Sequence, residues 1–139
     1  MTITVKVIPH NAQRYDTVGD WFFNYENDTL FIFISKMKDW RYEFLVARHE
    51  MDEAMLCYKR GIKEEDVTDF DKLFERERAK LKHTEDAEPG DDPRAPYKAE
   101  HFFATTQERV MAAELGVDWA QYEAEIFNLD YDPNRKRGR

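Results

Sequence analysis

Up to residue 35 the apolar residues come in three short β-branched and aromatic runs separated by polar stretches, and after residue 39 they recur with a helical period. Thr2 to Ile8 reads TITVKVI, a β-branched alternating run ended by Pro9, and predicts a strand. VGDWFFN (18–24) and TLFIFIS (29–35) flank Tyr25, Glu26, Asn27 and Asp28, a polar turn, and predict a hairpin. Leu30, Ile32 and Ile34 fall on one face of its second strand, Phe31 and Phe33 on the other. With both faces apolar, helices are expected to cover at least part of each.

Asp39 can cap a long helix from about Trp40 to Arg60, with Gly61 as its left-handed stop. A second helix is expected from about Glu64 to Lys82, its apolar positions being Val67, Phe70, Leu73, Phe74 and Leu81. Residues 83–96, HTEDAEPGDDPRAP, carry three prolines and a glycine and predict a loop. A third helix should start near Pro96-Tyr97 and end at Leu115-Gly116, burying Phe102, Phe103, Val110 and Met111. Asp118 can cap a fourth, Trp119 to about Leu129. The order predicts one α+β domain over residues 1–134: a small antiparallel sheet of about three strands packed against about four helices. Residues 135–139, RKRGR, read as a basic, disordered tail.

Composition adds three constraints. Of 139 residues, 42% are hydrophobic and 14% aromatic, enough for a packed core. Net charge is −8 even though the last five residues hold four cations, so the body would repel a phosphate backbone and nucleic acid is not the expected partner. No apolar run approaches a membrane span. Cys57 is the only cysteine, expected to be buried and unreactive; with no recognisable signal peptide it points to a reducing, cytoplasmic setting.

The chemistry concentrates in RHEMDEAMLCY, residues 48–58 of the first long helix. On a wheel with Leu45 at zero, His49 and Glu53 lie at about 40° and 80°, among Leu56, Tyr42 and Val46. They are i and i+4, the spacing that grips one cation from a single helix. Glu50 projects at about 140°, near the same edge. A buried ionised Glu53 requires a partner, whether a metal, an arginine, a hydroxyl or a proton. The third helix, AEHFFATTQERVMAAEL, places His101, Thr105 and Glu108 on one face at i, i+4 and i+7, so the two polar stripes should meet. The structural alternative is a His–Glu hydrogen-bonded cluster, joined by Arg41, Arg48 or Arg109, that fixes how the helices dock.

The HExxE run of His49, Glu50 and Glu53 resembles the HExxH helix of zincin-type metallopeptidases, with Glu53 where that family has histidine. The resemblance implies His49 and Glu53 as zinc ligands and Glu50 as general base; His101 is the natural third ligand, and Glu108 or Thr105 a substitute or orienting group. Most of the chain is also similar to small proteins of tailed phages and prophages, through RYDTVGDW, FLVARHEMDEAMLC, HTEDAEPGDDPRAPY and EHFFATTQERVMAAELGVDW. That similarity implies a phage gene expressed in a bacterial cell and carries no particular activity.

Two functional readings stand. One is a zincin-like metalloprotein, a zinc-dependent hydrolase acting on a peptide or an inactive relative of one. The other is a non-enzymatic phage accessory protein that binds a host or phage protein through its acidic surface, the His/Glu cluster serving as scaffold. The acidic loop 83–96 lacks the ligand spacing of a calcium-binding EF-hand and reads as a solvated loop or a lid, with Arg94 as an anchor to a carboxylate. His10, Arg14, Tyr15 and Asp16 either line the same pocket or close a turn.

Overall fold

The computed structural model describes residues 1–132. The basic tail proposed for 135–139 lies outside the described residues. Three strands, β1 (Thr2–Ile8), β2 (Gly19–Asn24) and β3 (Thr29–Ser35), precede four helices, α1 (Trp40–Arg60), α2 (Glu64–Ala79), α3 (Lys98–Glu114) and α4 (Trp119–Phe127). Short 3₁₀ turns at His10–Ala12 and Pro89–Asp91 complete the elements. The α+β architecture is the one the pattern predicts.

The sheet is mixed, not wholly antiparallel. Its order is β1-β3-β2, with β2 antiparallel and β1 parallel to β3. The hairpin reverses the chain between β2 and β3, so β3 runs in the direction of β1. Because β3 and not β2 takes the place beside β1, the outer ladder is parallel. The middle position suits β3, the strand most apolar on both faces. Residues 9–18 carry the chain to the far edge and are pinned across the end of β3: Ser35 N–H donates to the Val18 carbonyl (2.8 Å) and Lys36 N–H to that of Ile8 (2.7 Å). His10 Nδ1 lies 2.8 Å from Ser35 Oγ and its Nε2 3.0 Å from Asp16, while Arg14 grips Asp20 through two hydrogen bonds.

Helix α1 lies across β2 and β3, burying Leu30, Ile32, Ile34 and Trp21 against Leu45 and Val46. The opposite face is covered by its own side chains. There Phe22, Phe31 and Phe33 stack within 5.4–6.4 Å of one another, half-buried, with Arg14 over Phe22. Three aromatic rings therefore shield a face that helices were expected to cover.

The helix boundaries follow local chemistry. Asp39 accepts the N–H of Arg41 at the start of α1, and Gly61 ends it at φ 69°. Asp118 caps α4 through Gln121 N–H. Helix α2 stops at Ala79, three residues before the expected end, because Leu81 turns into the left-handed region (φ 59°) and stands in solvent. On α3, Phe102, Phe103 and Val110 are exposed, while Glu100, His101, Ala104, Glu108 and Ala112 face inward. The polar stripe and its small alanines, not the phenylalanines, form the face that packs on α1.

Candidate metal centre

Helices α1 and α3 pack side by side, bringing the two polar stripes together. His49, Glu53, His101 and Glu108 are all buried. His49 Nε2 lies 3.3 Å from Glu53 Oε2 and 3.2 Å from His101 Nδ1, and that Nδ1 lies 3.1 Å from the same Glu53 oxygen. Three ligand atoms thus mark a nearly equilateral triangle. Two ligands at about 2.05 Å from a tetrahedral zinc would stand about 3.3 Å apart. His49, Glu53 and His101 lie close enough to hold a metal ion.

The outward-facing atoms of this triad are held in turn. His49 Nδ1 is 2.8 Å from Glu108 Oε1, and the Tyr122 hydroxyl donates to Glu108 Oε2. His101 Nε2 is 3.1 Å from Glu88 Oε2, and Trp21 Nε1–H donates to Glu53 Oε1 at 3.1 Å. With each imidazole donating to its outer carboxylate, the remaining nitrogen presents a lone pair to the centre. Two lone pairs and a carboxylate oxygen would then converge with no donor among them, an arrangement that requires protons or a cation. Carboxylates behind ligating histidines are the usual means of fixing tautomer and ring orientation.

Protons fill that role in the metal-free protein. Burial lowers the affinity of His101 for a proton, but hydrogen bonds to Glu53 and Glu88 outweigh it and hold the pKa at about 10. Burial acts on His49 likewise, and Glu108 and Glu53 raise it well above the ordinary imidazole value. Burial would raise Glu53, yet the two histidines hold it down at about 2. One divalent ion carries the charge of the two protons it would replace.

Two glycines make room for this chemistry. A Cβ on buried Gly90 would stand 2.2 Å from His101 Cγ, and one on Gly19 2.6 Å from Glu50 Cγ. Glu50, partly buried, therefore rests against β2 on the wall of the cavity of about 760 Å³ that also contains His49, Glu53 and His101. Its pKa is pushed well up, by burial first and by neighbouring Glu53 second. Asp71 of α2 lines the same cavity, accepting hydrogen bonds from Tyr15 (3.0 Å) and Tyr97. Burial and the charge of Glu53 raise its pKa to about 7, against the pull of the two phenols.

The structure brings His49, Glu50, Glu53, His101 and Glu108 together as expected. Thr105 Oγ1 is buried and makes no hydrogen bond among the described residues, to either histidine or to Glu108. Arg41 pairs with Asp39, Arg48 with Asp52, and Arg109 stacks on Trp119, so each proposed arginine partner of the cluster has another partner. His10, Tyr15 and Asp16 do line the cavity, and His10 also closes the turn after β1. Arg94 anchors the acidic loop to Glu77 (2.7 Å), and residues 85–90 border the cavity. Glu88, Asp91 and His101 form a second close group, which shares its histidine with the first.

Trp21, Tyr122 and Asp71 are contributors that the pattern of the chain did not single out for chemistry, and Glu88 entered only as one acid of the 83–96 loop weighed for calcium. Trp21 and Tyr122 are both buried in the core as well. Glu88 sits in a loop with no periodicity to orient it. No family model, no curated protein and no solved structure matches the chain.

Proposed function

We propose that the protein is a metal-dependent hydrolase whose single divalent ion, zinc by the nature of its donors, is held by His49, Glu53 and His101. The triangle of ligand atoms with edges of 3.1–3.3 Å carries the reading. Two imidazoles and a carboxylate suit zinc better than the hard, oxygen-seeking cations. When bound, zinc would supply a Lewis acid at the floor of the cavity. Glu50, one residue beyond His49 and with an elevated pKa, is suited to take a proton from an attacking water and pass it to a leaving group. Glu88 and Glu108 hold the two imidazoles in place. The likeness to zincin helices supports a peptide as substrate, and the likeness to phage proteins supports action in the bacterial cytoplasm. No helix of the described residues is long and apolar enough to cross a membrane.

Elemental analysis of protein purified without a histidine tag should find one zinc per chain, and His49→Ala or His101→Ala should abolish it. Glu50→Gln should keep the zinc and reduce hydrolysis at least 100-fold. Metal-free protein that stays so when zinc is added would overturn the proposal.

One observation favours a second reading, a scaffold for a protein-binding accessory factor. The chain Tyr122–Glu108–His49–Glu53–His101–Glu88 is continuous when both imidazoles are protonated. In that reading added zinc does not displace the two protons, and His49→Gln would lower stability without changing any metal content.

A further inference from the structure

The outer face of α3 is as apolar as its inner face is polar. Phe102 is 71%, Val110 57% and Phe103 47% exposed, and all three stand within about 60° of Thr106 on the helix surface. Ala99 and Ala113 extend the stripe at either end and are exposed as well. A helix normally turns such a stripe toward a core. The only charged residue within it, Arg109, stacks on Trp119 of its own chain at 4.3 Å.

The stripe is symmetric about its middle. Phe102 and Val110 lie four residues to either side of Thr106, Ala99 and Ala113 seven, and exposed Lys98 and Glu114 eight. Thr106 is small, and its hydroxyl already bonds the Phe102 carbonyl (2.9 Å), so burying it strands no donor.

We propose that two copies of the chain associate through this stripe, α3 against α3, antiparallel about a two-fold axis at Thr106. Phe102 then packs on Val110 of the second copy and Ala99 on its Ala113, the self-complementary pattern of an isologous contact. Charge selects the direction. Antiparallel helices set Lys98 against Glu114 of the second copy at both ends, whereas parallel helices would oppose lysine to lysine and glutamate to glutamate. A helix pair of this length buries on the order of 1,000 Å², at the low end for specific interfaces, so the dimer should be reversible with a Kd in the micromolar range.

Sedimentation from about 1 to about 500 µM should show a monomer–dimer equilibrium. Phe102→Glu should weaken it tenfold or more. Lys98→Glu and Glu114→Lys should each weaken it a few-fold, and the two together should restore it. Under oxidation Thr106→Cys should give a covalent dimer, and Asp69→Cys on exposed α2 should not; Cys57 is fully buried in both. Since these side chains are exposed, circular dichroism should match the parent protein, and Val110→Glu provides a second disruption if Phe102→Glu misfolds. A chain that is monomeric throughout overturns the proposal. So does a dimer that survives both stripe substitutions, or one in which Thr106→Cys fails to cross-link.

Discussion

At the scale of single residues, the centre rests on side chains whose protonation is set by one another. In the metal-free protein, His101 keeps its proton to about pH 10 and Glu53 loses its own near pH 2. A raised imidazole contributes stability that is complete below its ordinary value of 6.5 and is lost as pH rises through 10. A depressed carboxylate contributes above its ordinary 4.5, and that part is lost as pH falls through 2. Thermal unfolding of the metal-free protein should therefore show a midpoint that declines from neutral toward pH 10. With zinc bound the decline should disappear, because the ion takes the place of the protons. Identical pH profiles with and without zinc would count against the site. Gly90 offers a sharper probe. Gly90→Ala should displace His101 from its line with Glu88 and weaken zinc binding about 10- to 100-fold, as measured by competition with a chelating dye.

At the scale of elements, much of the fold was legible and the departures have local causes. Asp39 and Gly61 marked both ends of α1, and the i, i+4 spacing of His49 and Glu53 announced a second polar stripe, which His101 and Glu108 supply. What could not be read was which strand of the hairpin β1 would join. Both are rich in large apolar residues, and the choice that makes the ladder parallel is tertiary. Glu88 was equally hidden, since only the fold of the loop around Gly90 carries it to His101. Phe102 and Phe103 misled because an apolar residue on a helix reads as core, and sequence alone does not tell an inner face from an outer one. The early end of α2 yields a prediction of its own. A leucine at φ 59° bears a steric cost that glycine avoids, so Leu81→Gly should stabilise the protein by about 0.5–1 kcal/mol in a urea titration.

At the scale of the whole molecule, the helices cover the β2 and β3 part of one face of the sheet and close around the cavity, while the sheet's other face keeps its aromatic cover. Zinc would tie together α1, α3 and, through Glu88, the acidic loop, three parts that lie far apart in the chain. At a free zinc concentration 100 times the Kd, the ion should add about 2.7 kcal/mol to the unfolding free energy. A chelator should remove that increment in a thermal scan, and should quench protection from hydrogen exchange most strongly around residues 85–91. Uniform loss of protection over the chain would argue that the loop is not coupled to the centre.

The place of β1 at the rim of the sheet has a consequence for handling the protein. Every second residue of this strand turns its N–H and C=O away from β3, and Ile3, Val5 and Val7 are 42–46% exposed. Such a margin is a template on which further chains can build ribbons. Lys6 is the only charge along TITVKVI, and its desolvation is what stacking neighbours would have to overcome. Neutralising that one ammonium, as in Lys6→Val, should turn a clear concentrated solution into one that binds thioflavin and scatters light.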